Sequence, residues 1–146
     1  MVESPLSRNV LRIAILNDGY DTISLLSEWF QMHGHVPLVQ RVEHIRKSGP
    51  DPAGAVQSLK PDVLVFDVGL PYAVNWYYAE VLKLALPDLP TVLTTANRNA
   101  LDSIVGASDA FELTGTPQNL QALLRLVYTV AGRDEDGRRA ATGPGQ

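Results

Sequence analysis

Val10 to Leu16 is a run of mostly branched apolar residues closed by the polar Asn17-Asp18-Gly19, a pattern that predicts a buried strand ending in a loop. From Asp21 onward, Ile23, Leu26 and Phe30, with Leu25, Trp29 and Met32 one step round, recur at helical spacing. Asp21 is the expected N-cap of that helix and Gly34 its stop. Val36 to Val42 reads as a second strand. Ser48-Gly49-Pro50-Asp51-Pro52 then marks a loop, expected to be mobile, before a short helix from Ala53 to Leu59. Val63-Leu64-Val65-Phe66 shows no alternation, as a central parallel strand covered on both faces requires, and it ends at Asp67. Ala73 to Leu86 is helical in pattern and stops before Pro87. Pro90 opens a fourth strand over Thr91 to Thr95, and Asn97 to Val105 offers a further helix. Asp109 to Leu113 is a weaker fifth strand. Pro117 begins a last helix carrying Leu120, Leu123, Leu124, Val127 and Ala131.

Strands alternating with helices in this way predict an α/β fold: a doubly wound parallel sheet of five strands with right-handed crossovers and helices on both faces. The flavodoxin-like version, order 2-1-3-4-5, places its ligand crevice at the carboxyl ends of strands one and three. Asp18 and Asp67 stand at those two ends.

The 146 residues are read as one domain over 10–132, with an N-terminal extension over 1–9 and a charged, glycine-rich tail over 133–146 expected to be disordered. The absence of cysteine excludes disulfides, thiolate metal sites and a cysteine nucleophile. A net charge of −4 gives no footprint for a phosphate backbone, so direct nucleic-acid binding is not expected. No apolar run is long enough for a signal peptide or a membrane span, which makes a cytoplasmic location the default expectation. His33, His35 and His44 lack the i, i+4 register of a helical zinc pair and are expected at the surface.

Two carboxylates converging on one crevice repel each other unless a proton or a cation intervenes. Mg²⁺ accounts for such a pair economically, because it takes a few oxygen ligands, keeps waters and accepts a phosphate oxygen. A metal held there would position a phosphoryl group on one carboxylate. Taken singly, either aspartate is equally well explained as a turn residue after its strand.

Asn17-Asp18-Gly19-Tyr20-Asp21, with Leu25-Leu26 beyond, resembles the acidic loop and first helix of response-regulator receiver domains, with Asn17 in place of the first acid. The stretch from Pro61 to Pro71 resembles the family's third strand and phosphoacceptor loop, including the proline four residues after Asp67. Pro90 to Ala96 is similar to its fourth strand, with a switch hydroxyl followed by alanine. The resemblance implies that Asp67 is the phosphoacceptor, Thr95 the switch hydroxyl, and Asp18, Asp67 and the Gly69 carbonyl the Mg²⁺ ligands, with Asn17 acting through water. It also implies a sensor histidine kinase or phosphotransfer protein as donor, a downstream protein partner, and no enzymatic activity beyond self-phosphorylation and dephosphorylation of Asp67.

The chain departs from the family where a lysine-proline should follow strand five, for residues 106–132 contain no lysine. Thr116-Pro117 matches best through the register of Leu120, Leu123 and Leu124, while an alternative alignment puts Thr114 at the lysine position. A threonine cannot replace the lost charge, and Asn17 removes one negative charge, so weak Mg²⁺ binding is expected. The loop after Pro71 is bulky. Its Trp76, Tyr77 and Tyr78 suit either packing on the sheet or partner docking. Leu126, Tyr128 and Val130 widen the apolar surface of the last helix, which with the 97–105 helix offers a homodimer interface. Three functions fit these observations: a stand-alone, atypical receiver that signals through altered protein binding, a phosphorylation-independent pseudo-receiver that docks partners constitutively, and, more remotely, a phosphatase using Asp67.

Overall fold

The computed structural model describes residues 9–47, 49, 51–105, 110–134 and 136–138. Its elements run β1 (Arg12–Leu16), α1 (Tyr20–Met32), β2 (Val36–Gln40), α2 (Val42–Lys47), α3 (Pro52–Gln57), β3 (Val63–Asp67), α4 (Tyr72–Ala85), β4 (Thr91–Thr95), α5 (Arg98–Val105), β5 (Phe111–Glu112) and α6 (Pro117–Val130). The five strands form one parallel sheet in the order β2-β1-β3-β4-β5, the order expected from the strand–helix alternation.

Side chains alternate across the inner strands, and this divides the core into two layers. Ala14, Leu16, Leu64, Phe66 and Leu93 pack with Val42, Ile45, Val56, Ala79, Leu82 and Leu101 on the face covered by α2 to α5. Ile13, Ile15, Val63, Val65 and Val92 meet Leu26 and Phe30 of α1 and Leu120, Leu123, Leu124 and Val127 of α6 on the other. Each such side chain contributes about 1.5–3 kcal/mol by leaving water. Leu126 and Val130 are half-buried against this second layer and Tyr128 is buried in it, so the extra apolar width of α6 is largely used within the fold.

Several boundaries differ from the sequence reading for local reasons. α1 starts at Tyr20 with Gly19 as its N-cap, and Asp21 lies inside the first turn, where a negative charge meets the positive end of the helix dipole. α1 ends as expected at Gly34, whose φ of 85° suits glycine, with His35 N–H bonded to the Phe30 carbonyl and Gly34 N–H to that of Gln31. β2 stops at Gln40, and Val42 opens α2 in a stretch read as strand end and loop. Thr116 caps α6, accepting from Asn119 N–H at 3.3 Å, with Pro117 in the first turn. Gly137 is buried against the Tyr128 ring and Arg133 N–H bonds the Tyr128 carbonyl; of the 133–146 tail expected to be disordered, residues 135 and 139–146 lie outside the described residues.

His35 is buried, not on the surface, at 6% exposure. Its Nδ1 accepts from Leu11 N–H at 3.1 Å, which fixes the neutral tautomer and leaves Nε2–H to donate to the Tyr128 hydroxyl at 2.7 Å. The pair ties the start of β1 and the end of α1 to α6. Burial, with the charges of His33 and Arg133, holds the His35 pKa below its usual 6.5. Because the unfolded chain then binds the proton more readily, wild type should lose stability relative to His35→Gln as pH falls below 6.5. Tyr128→Phe should cost about 1–2 kcal/mol at neutral pH by orphaning the imidazole N–H. Urea unfolding of the variants across pH checks both.

Candidate functional site

The register of β1 and β3 aligns Leu16 with Phe66, so Asn17 and Asp67 emerge side by side at the carboxyl edge of the sheet. Asp67 continues the Val63, Val65 face and points toward the α1/α6 layer. There it lines a small pocket of about 90 Å³ with Asn17, Thr22, Leu25, Ala96, Leu113, Thr114 and Gly115.

Asp67 pairs in register with Thr94, which puts both side chains on one face, and the Thr94 hydroxyl donates to Asp67 Oδ1 at 2.8 Å. Thr95, expected as the switch hydroxyl, faces the opposite layer. Its hydroxyl donates to the Val68 carbonyl at 3.0 Å and accepts from Asn97 N–H at 3.3 Å. Both threonines are buried. The hydroxyl that meets the carboxylate is therefore that of Thr94. Sequence alternation alone shows that the two point apart, but the choice between them depends on the β3–β4 register.

The two candidates for the lysine position sit differently. Thr116, the favoured match, spends its hydroxyl on the α6 cap, whereas Thr114 lines the pocket with Asp67, its hydroxyl 3.3 Å from that of Thr116. Leu113, Thr114 and Gly115 together form this wall, and none of them brings a cation to the carboxylate.

Asn17 is buried, and its Oδ1 accepts from Gly19 N–H at 2.8 Å in a tight turn. Asp18 turns toward α2: Oδ1 accepts from Glu43 N–H at 3.0 Å and lies 3.9 Å from Arg41 Nε. Gly69 sits against Asp67 Oδ2, which would be 3.3 Å from a side-chain carbon at that position. The Gly69 carbonyl accepts from the buried amide of Asn75 at 2.9 Å, and the same amide group reaches the Leu70 carbonyl at 3.2 Å. Asn75 was missed by sequence reasoning. Its signal is an amide in the first turn of α4, next to the loop it pins. Of the neighbouring aromatics, Trp76 and Tyr78 pack on the core while Tyr77 is exposed.

Burial raises the Asp67 pKa to about 6; the Thr94 hydrogen bond opposes that rise and the negative charge of Asp18 adds to it. No group of three or more His, Cys, Asp or Glu side chains able to hold a metal occurs among the described residues. The oxygen donors near the crevice are the Asp67 and Asp18 carboxylates, the Gly69 carbonyl and the Asn17 amide. These are hard ligands of the kind Mg²⁺ takes while keeping waters, and a cation would relieve the repulsion that helps raise the Asp67 pKa. The donor set fits that ion, sparsely.

No protein-family model matches the sequence, and no curated protein matches it. Solved structures do match. A transiently phosphorylated switch in bacterial signal transduction superposes with a TM-score of 0.59 at 21% identity, over 84% of this chain and 94% of its own. The N-terminal signal receiver domain of a two-component response regulator from Bacteroides fragilis gives 0.59 at 20% identity, over 82% and 95%. The chain has the receiver fold. A response regulator receiver protein from Sinorhizobium medicae agrees, with a TM-score of 0.53 at 17% identity over 84% and 95%. At such identities the likeness carries the receiver architecture alone, so the role of each residue rests on the geometry above.

Because the folded state raises the Asp67 pKa, it binds the proton more tightly than the unfolded chain, and ionised Asp67 costs stability at neutral pH. Asp67→Asn should stabilise the protein by about 1–3 kcal/mol at pH 7, with the advantage shrinking as pH falls from about 6 toward 4. Thr94→Val should raise the Asp67 pKa further. Chemical unfolding and carboxyl-carbon NMR titration measure the two effects.

Proposed function

We propose that the protein is an atypical receiver domain in which Asp67 accepts a phosphoryl group and the added charge alters binding to a protein partner. The observation that carries this reading is the placement of Asp67 on the floor of the carboxyl-edge pocket, fixed by Thr94 and mostly ionised at neutral pH. Ionisation supplies the nucleophile. In the transfer, an Asp67 carboxylate oxygen bonds to phosphorus as the P–N bond of a donor phosphohistidine breaks, and the imidazole keeps the electron pair. A histidine kinase or phosphotransfer protein is the protein donor this reading implies.

Asp67, Asp18 and the Gly69 carbonyl, with Asn17 through water, are the residues that would hold Mg²⁺, whose charge offsets that of the carboxylates and the phosphoryl group. Thr94 is poised to donate to the phosphorylated side chain, and Thr22 and Thr114 add two further hydroxyl residues to the pocket lining. Thr95 joins them only by exchanging its bond to the Val68 carbonyl for one to a phosphoryl oxygen. That exchange is a way to couple the pocket to the α4/α5 layer.

A second reading, a docking module that works without phosphorylation, is favoured by two features of the same site. Asp18 is engaged by α2, and the wall facing Asp67 is leucine, threonine and glycine instead of a cation.

Incubation with Mg²⁺ and a small acyl-phosphate donor should add one phosphoryl group by intact mass, and Asp67→Asn should abolish the gain. No gain from that donor, or from a candidate kinase, would instead assign the domain to constitutive docking.

A further inference from the structure

The Asp18 carboxylate belongs to two structures at once. Its negative charge adds to the rise of the Asp67 pKa, and it also caps the first turn of α2 through Glu43 N–H at 3.0 Å. What holds it on the α2 side is Arg41, at the junction between β2 and α2. The guanidinium carbon lies 5.0 Å from the centre of the Tyr20 ring, Nη1 donates to the Tyr20 hydroxyl at 3.1 Å, and Nη2 lies 3.4 Å from Glu43 Oε2. Nε is buried without a hydrogen-bond partner, 3.9 Å from Asp18 Oδ1. A slight inward shift of either side chain would make that contact a charge-assisted hydrogen bond.

We propose that Arg41 is an electrostatic latch on Asp18. It supplies the positive charge that a metal would otherwise bring and holds the carboxylate against α2, so a cation entering the Asp67 pocket competes with the guanidinium. When Asp18 turns to the cation, Glu43 N–H loses its acceptor and the first turn of α2 loosens. Occupancy of the pocket is thereby read at α2, on a surface that includes the 69%-exposed Tyr20. Arg41 acts through Asp18 and is a positioning residue.

This inference rests on the reading of the pocket as a cation and phosphoryl site, and the test separates the two. Mg²⁺ binding to the full chain is measured by calorimetry for wild type, Arg41→Gln, Tyr20→Ala and Asp67→Asn, with the Glu43 amide followed by NMR during each titration. Arg41→Gln should bind Mg²⁺ about two- to fivefold more tightly, the size of effect expected for removing one partly exposed ion pair. Tyr20→Ala should shift affinity the same way by less, and Asp67→Asn should weaken it. In wild type the Glu43 amide should shift as Mg²⁺ binds and its hydrogen exchange should accelerate. Should Arg41→Gln fail to fold, Tyr20→Ala decides alone, since an exposed ring can be removed without touching the core. Mg²⁺ binding unchanged or weakened in a folded Arg41→Gln, or a silent Glu43 amide, would overturn the latch while leaving the pocket intact. No Mg²⁺ binding by any of the proteins would overturn both readings.

Discussion

Strand β3 is covered on both faces, and that constraint organises the whole molecule. Val63, Leu64, Val65 and Phe66 are all buried, so the strand has only its ends at which to carry polar groups. At the carboxyl end the parity that sends Val63 and Val65 into the α1/α6 layer also sends Asp67 there. The carboxylate is thus placed in a partly dehydrated position by the same alternation that builds the core. Its raised pKa is a direct consequence, and Thr94, delivered by the β4 register, is the nearest compensation.

The second consequence concerns charge balance. A carboxylate pair at the edge of a parallel sheet needs positive charge from somewhere. In this chain the far wall of the pocket gives none, since Leu113, Thr114 and Gly115 occupy it. Positive charge comes instead from the side of β2, where Arg41 engages Asp18 but not Asp67. The two acids are consequently treated unequally: one is paired and bonded to a helix start, the other is desolvated and hydroxyl-bonded. Divided roles of this kind are what a site needs if one carboxylate is to react while its neighbour stays ionised.

The elements that were legible in the sequence are those whose signal is local. The apolar runs of β1 and β3, the helical stripes of α1 and α6 and the Gly34 stop all report short-range packing or backbone preference. α2 was not legible, because Val42 and Ile45 are its only buried residues and its cap comes from Asp18, 25 residues earlier in the chain. His35 looked like a surface residue for the same reason: its partner, Tyr128, is 93 positions away. Asp67 and Asp18 stand out in the sequence because strand ends are recognisable. Their surroundings do not, since Thr94 and Arg41 meet them through strand register and loop closure. Thr116 shows the reverse case. The Thr-Pro pair is a strong local cap signal, and Thr116 caps α6.

Hydroxyls and a lysine are not equivalent at such a site, and the difference bears on how long a phosphorylated state would last. An ammonium neutralises charge and ties the phosphoryl oxygens to one strand end, whereas a threonine donates one hydrogen bond and leaves the charge in place. With threonine hydroxyls and no cation on this wall or at Thr94, more of the charge of a phosphoryl group on Asp67 would fall to metal and solvent. Stabilisation of that charge would therefore depend on whether Asp18 is available, and Asp18 is held by Arg41 and α2. In the proposed receiver the strength of the signal would be set at the β2–α2 junction, one strand removed from Asp67.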